Sequence, residues 1–269
     1  MPISVFSVAD AILYEAKLKG INIDPLKLQK LLYHVQYHHI ATTGESAFIE
    51  PVEAWEKGPA IRVIFKQFQY LGFAFITTLV PIRPILPSTV NSGIEKAVTK
   101  FGHLDSSDFA EITHYDLAYI KAWYLGQNTP LKPTDMKTLV EPILTVRAQD
   151  VFERLTALHV GVPADAAKQE ALENYFRKHT HTARLLVPLS QALVEQFQGR
   201  YSVILDFFTS MESNTDEYPI LLLQAIGTES YPVSLRKEIK AVTAPFLNPI
   251  CEDPKNGWVS VLPSFKKAA

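Results

Sequence analysis

The stretch from Asp24 to His39 leaves this chain the least freedom of local structure. Asp24 can cap the orphan amides of a first helical turn, and Pro25 sits where a missing N–H costs nothing. Leu28, Leu31, Leu32, Val35 and His39 then recur with helical spacing, which predicts an amphipathic helix. Lys27, Lys30, His34 and His38 fall on a neighbouring, more polar face.

Other elements follow from similar signals. Val8 to Lys19 reads as a helix stopped by Gly20. Val52-Glu53-Ala54-Trp55 reads as a short strand or extended run, and Gly58-Pro59 as the start of a third helix over Ala60 to Leu71. Prolines 81, 84 and 87 make Thr77 to Ser88 an extended connector or an edge strand. Helices are expected over Val90 to Lys100, Ser107 to Thr113 and Asp116 to Leu125. Beyond the break at Gly161-Val162-Pro163, Ala166 to Phe197 reads as one long helix with Pro188 as its kink. Arg200 to Phe208 and Tyr218 to Ile226 are rich in β-branched and aromatic residues and predict an antiparallel hairpin with a polar loop. Leu235 to Phe246 reads as a last helix, and the tail Lys266 to Ala269 as frayed. The expected class is mainly α with a small β component, arranged as an N-terminal domain over residues 1–150 and an α+β extension over residues 151–269.

With 47% hydrophobic and 20% charged residues, 269 residues can bury a substantial core. A net charge of -2 gives no global basic excess, so nucleic acid and anionic membrane are not the expected partners. The lone cysteine, Cys251, cannot close an intramolecular disulfide and fits a reducing compartment. Met1 to Tyr14 lacks a basic segment ahead of its apolar residues, and the apolar runs are too short to span a bilayer. The expected location is the cytoplasm.

Catalytic motifs are scarce. His34 and His38 stand four apart, as in zinc metalloproteases, but Val35 occupies the place of the glutamate base that such chemistry needs. Both are expected to be ordinary helix-surface histidines. His179 and His181, two apart, cannot share a helix face. Neither phosphate-binding glycine pattern is present. No metal site, cofactor or catalytic residue is expected, and the chain is not expected to be an enzyme.

Three stretches carry a resemblance. Pro25-Leu26-Lys27-Leu28-Gln29-Lys30-Leu31-Leu32-Tyr33 is nearly letter for letter the PLKLQKLLY helix of the Panacea (SocA-like) antitoxin domain. Val52-Glu53-Ala54-Trp55-Glu56-Lys57-Gly58-Pro59 resembles that family's AW-x-x-GP segment. Thr113-His114 followed by Trp123 resembles its TH…W element, although Ile120-Lys121-Ala122 stand here where many members have a proline before the tryptophan. The order and spacing also agree, over roughly the first half of the chain.

The resemblance implies a helical antitoxin domain that neutralises a cognate protein toxin by direct contact. Leu28, Gln29, Leu31, Leu32, Tyr33, Gly58, Pro59, Thr113, His114 and Trp123 are then expected to be scaffold positions. Lys27, Lys30, His34 and Trp55 are the candidate partner-binding residues, with a solvated helix face as the plain alternative for the two lysines. For Trp55 the alternative is core packing, and for His114 a structural hydrogen bond at a helix end. Two rival functions are a proteolytic adaptor, which would add a protease as a further partner, and a DNA-binding repressor of its own operon, which would need a localised basic surface.

Overall fold

The computed structural model describes residues 3–77, 82–138, 140, 142–209, 217–226, 232, 234–252 and 259–264. Among them the architecture is mainly helical with two small sheets. The chain divides into two compact units, Met1–Leu139 and Val140–Ala269. The expected frayed tail, residues 78–81 of the proline-rich connector and the hairpin loop 210–216 lie outside the described residues.

The first unit is organised around one helix. α1 (Val5–Leu18) precedes α2 (Pro25–Thr43), and the Asp24 side chain accepts from the amide of Lys27 as the sequence foretold. α3 (Arg62–Phe68), α4 (Ser88–Phe101), α5 (Ser106–Thr113) and α6 (Leu117–Leu125) follow. α1, α4 and α5 all pack on α2. Leu28, Leu31, Leu32, Tyr33 and Val35 are wholly buried there, and an aliphatic side chain so placed contributes about 1.5–3 kcal/mol.

The amphipathic reading of α2 requires correction. Lys27, Gln29, Lys30, His34 and Gln36 are buried as well, so the polar face is covered by other parts of the unit. A helix enclosed on all sides must satisfy its polar side chains internally. That demand shapes the site described below.

A second correction concerns Gly58-Pro59. Instead of starting a helix, these residues form β2 (Gly58–Ala60), which pairs antiparallel with β1 (Glu53–Trp55) through Glu53↔Ala60, Ala54↔Pro59 and Trp55↔Gly58. The other edge of β1 is occupied by residues 128–131, with Ala54 N–H donating to Thr129 O at 2.9 Å and Leu131 N–H to Val52 O at 2.8 Å. A three-residue strand containing proline carries no readable period, which is why its sequence resembles a helix start.

In the second unit, α7 (Ala148–Ala157), α8 (Ala166–Lys178), α9 (Thr180–Phe197) and α10 (Leu235–Glu252) accompany a three-stranded sheet. β3 (Tyr201–Thr209) and β4 (Glu217–Ala225) form the expected antiparallel hairpin. β5 (Ser260–Pro263) adds to β4 in parallel, a strand too short to read in the sequence. The single long helix expected over Ala166 to Phe197 is in fact two. Its break lies at His179 (φ -127°, ψ 67°), and Pro188 sits inside α9. One proline removes one backbone hydrogen bond, whereas the break lets α8 and α9 each pack a buried face within the unit.

Candidate functional site

The polar residues of α2 clamp the β1–β2 hairpin. Gln29 sits opposite Ile61, its Oε1 accepting from Ile61 N–H at 2.7 Å and its Nε2 donating to Ile61 O at 3.2 Å. The side-chain amide thus takes the place of a neighbouring strand. Beside it, Lys30 Nζ donates to Pro59 O at 2.9 Å, and Lys30 is only 1% exposed. Lower on the same helix, Gln36 repeats the device on another loop, its Oε1 accepting from Ala47 N–H at 2.8 Å and its Nε2 donating to Phe48 O at 3.2 Å. Replacing Gln29 by leucine leaves a buried N–H and a buried C=O of Ile61 without partners. A loss of about 2–4 kcal/mol in unfolding free energy is expected in urea titrations.

The far side of the hairpin is held from α5 and α6. His114 Nε2 lies 2.9 Å from Glu56 O and its Nδ1 3.3 Å from Glu111 O. Burial holds the His114 imidazole below its ordinary range, and the two carbonyls partly offset that shift. Tyr119 donates to Trp55 O at 2.8 Å. The Tyr119 ring meets His114 edge-on at 5.0 Å and stacks on Trp123 at 5.9 Å.

Gly58 closes the turn with φ 85°. A Cβ there would lie 2.5 Å from Thr113 Oγ1 and 2.9 Å from Lys30 Nζ. Thr113, itself buried, donates to Ala110 O at 2.7 Å. The three motif stretches, far apart in the chain, therefore meet at one turn.

Electrostatics vary sharply over this short distance. Burial pushes the Lys30 ammonium down to about 7, and no carboxylate lies within ion-pair distance of it among the described residues. Burial would raise Glu53, but hydrogen bonds from Arg62 and Trp55 outweigh it and hold the carboxyl below its usual range. Arg62 Nε lies 3.1 Å from Glu53 Oε1, and Trp55 Nε1 2.9 Å from Glu53 Oε2. The Arg62 guanidinium also sits 5.1 Å over the Trp55 ring.

Beside this turn lies a cavity of about 540 Å³. Its aromatic walls are Trp55, Phe65 and Phe73, and Gln29, Lys30 and Gly58 reach it from the clamp. Phe65 meets Trp55 edge-on at 5.1 Å, and Lys57 Nζ lies 5.2 Å over the Phe73 ring.

Of the four candidate partner-binding residues, Lys30 and Trp55 line this cavity, while Lys27 and His34 do not. Lys27 is buried and donates to Gly102 O at 3.1 Å. The His34 ring is stacked on Phe101 at 4.4 Å and on Phe109 at 5.3 Å. Neither lysine lies on a solvated face, and His34 is not a surface histidine. Leu28, Leu31, Leu32 and Tyr33 belong to the core. Sequence reasoning missed Gln36, Glu53, Arg62 and Phe73. Gln36 had a readable signal, an amide in a helix with apolar residues all round it. The others depend on contacts that only the fold creates. Among the described residues no three His, Cys, Asp or Glu side chains gather as a metal site, and no helix is long and apolar enough to cross a membrane.

This geometry defines a class of helical domain in which a buried polar helix grips a short hairpin. Residues 28–118, which hold that hairpin and most of its grips, match the family described as antitoxin SocA-like, Panacea domain. The resemblance carried by the three motif stretches is thereby borne out. Among curated proteins, antitoxin SocA of Caulobacter vibrioides (strain NA1000 / CB15N) is 25% identical over 119 residues, which is 40% of this chain. The match spans 63% of that protein's length. No solved structure gives a significant match.

Proposed function

We propose that this chain is an antitoxin that silences a protein toxin by covering part of its surface, with no bond made or broken. The match of residues 28–118 to the antitoxin SocA-like, Panacea domain carries the reading. Exposed large apolar side chains in the segment that follows the motif turn support it. Val63, Phe65, Tyr70, Phe73 and Phe75 all expose their side chains within thirteen positions of the chain, Tyr70 at 76% and Phe73 at 75%. Phe65 and Phe73 line the cavity beside the turn; exposed aromatics are enriched where proteins bind one another, and tyrosine and tryptophan among the residues that dominate binding energy.

The test is co-expression with the product of the adjacent reading frame. That product is expected to arrest growth when expressed alone, to be tolerated with this chain, and to co-purify with it. Phe73→Ser combined with Tyr70→Ser is expected to weaken the complex at least tenfold by calorimetry, with the circular dichroism spectrum and unfolding midpoint unchanged. Equal lethality with and without this chain would exclude the function.

A further inference from the structure

The cavity beside the motif turn has an imbalance of charge. Lys30, Lys57 and Arg62 line it, against the single carboxylate of Glu56. Arg62 is already engaged by Glu53. Lys30 and Lys57 have no carboxylate within ion-pair distance among the described residues. Lys30 is enclosed beneath the Gly58-Pro59 turn and holds its charge below about pH 7, where its field acts through a medium less polarisable than water. Lys57 is exposed above the Phe73 ring, free to meet an incoming anion.

The apolar part of the lining adds a second requirement. Trp55, Phe65 and Phe73 offer ring faces and edges large enough to hold an apolar side chain. At about 540 Å³ the space suits a few residues of extended peptide better than a folded surface. An occupant carrying a carboxylate next to an apolar side chain satisfies both requirements.

We propose that this cavity binds an acidic peptide segment, its carboxylate meeting Lys57 within the positive field of Lys30 and its neighbouring apolar side chain seated among Trp55, Phe65 and Phe73. The toxin as the source of that segment rests on the antitoxin reading above. The positive lining selects against basic segments, and the aromatic walls select against purely polar ones. Specificity for the partner thus sits beside the motif turn, on side chains that the turn itself positions.

The binding arm uses the purified full chain and two synthetic peptides, acetyl-Glu-Phe-Glu-Gly-amide and acetyl-Gln-Phe-Gln-Gly-amide, titrated by NMR at about pH 6, where Lys30 is protonated and the glutamates are ionised. The acidic peptide is expected to bind at least fivefold tighter, to shift the Trp55 indole N–H and the Gly58 amide, and to lose that advantage in 0.5 M salt. Lys57→Glu is expected to abolish the preference, and Glu56→Gln to strengthen it severalfold; both side chains are exposed, so the fold is retained. Equal affinities, shifts confined to other surfaces, or no binding of either peptide would overturn the proposal. So would a concentration-dependent dimer dissolved by Phe73→Ser, since a second copy would then fill the cavity. The cellular arm expresses the wild-type chain and Lys57→Glu with the toxin. Rescue by the wild type alone supports the site. Rescue by both sinks this inference and leaves the antitoxin reading intact, whereas rescue by neither sinks the antitoxin reading and leaves the peptide arm to judge the cavity.

Discussion

Gly58→Ala is expected to destabilise the protein by about 3–5 kcal/mol, read as a lowered urea midpoint at unchanged slope. Two costs add. With φ at 85° an alanine would be held in a conformation that L residues rarely adopt. Its Cβ would also press on Thr113 Oγ1 at 2.5 Å and Lys30 Nζ at 2.9 Å, and both atoms are fixed by their own hydrogen bonds. Thr113 could turn away only by giving up Ala110 O, and Lys30 only by giving up Pro59 O. Relief would therefore come from opening the turn, which dismantles the cavity as well. Truncating Thr113 to alanine in the Gly58→Ala background is expected to recover part of the loss. If Gly58→Ala alone matched the wild type in stability, the clamp as described would be wrong.

Stability is also expected to fall as pH is lowered, in one alkaline and one acid window, through two buried bases on α2. Burial lowers His34 to about 3, against an ordinary value of about 6.5, and nearby Lys100 and Lys30 add to the shift. Burial lowers Lys30 to about 7 from 10.5. For each, the unfolded chain holds a proton that the folded chain lacks between the two values, so unfolding free energy rises with pH across that window. Lys30 withdraws stability as pH drops from about 10.5 to 7, and His34 as it drops from about 6.5 to 3. A shift of this size corresponds to on the order of 3–5 kcal/mol per group at full titration. His34→Phe, which keeps a flat ring between Phe101 and Phe109, is expected to flatten the acid limb, and Lys30→Met the alkaline one. Unfolding free energies measured from pH 4 to pH 10 would check both. An acid limb unchanged by His34→Phe would show that the imidazole is solvated in the folded chain.

The clamp also explains why the motif stretches are polar where they are. PLKLQKLLY places Gln29 and Lys30 between leucines, and a surface helix would need neither. Inside a domain, both serve the backbone of a strand that has no second strand on that edge. Burying an amide against two backbone groups, or an ammonium against a carbonyl, is costly unless the geometry is fixed. The hairpin, held from α2 on one side and from His114 and Tyr119 on the other, supplies that rigidity. A rigid turn in turn fixes the position of Trp55, and with it one wall of the cavity.

What the amino-acid order determined by itself was local. Asp24-Pro25 began α2, Gly20 ended α1, helical spacing marked most other helices, and β-branched and aromatic runs marked β3 and β4. These are short-range effects of capping, backbone freedom and side-chain period, legible without knowing what lies opposite. Three linear motifs likewise pointed to the Panacea resemblance before any contact was known. Only the tertiary structure decided that Lys27, Lys30 and His34 lie inside, that Gly58-Pro59 is a strand, and that the break after α8 falls at His179 and not at Pro188. It alone brought Trp55, Phe65 and Phe73 around one cavity. The reason is that burial and strand pairing depend on groups far away in the chain, and a lysine reads the same in sequence whether water or a carbonyl receives its proton.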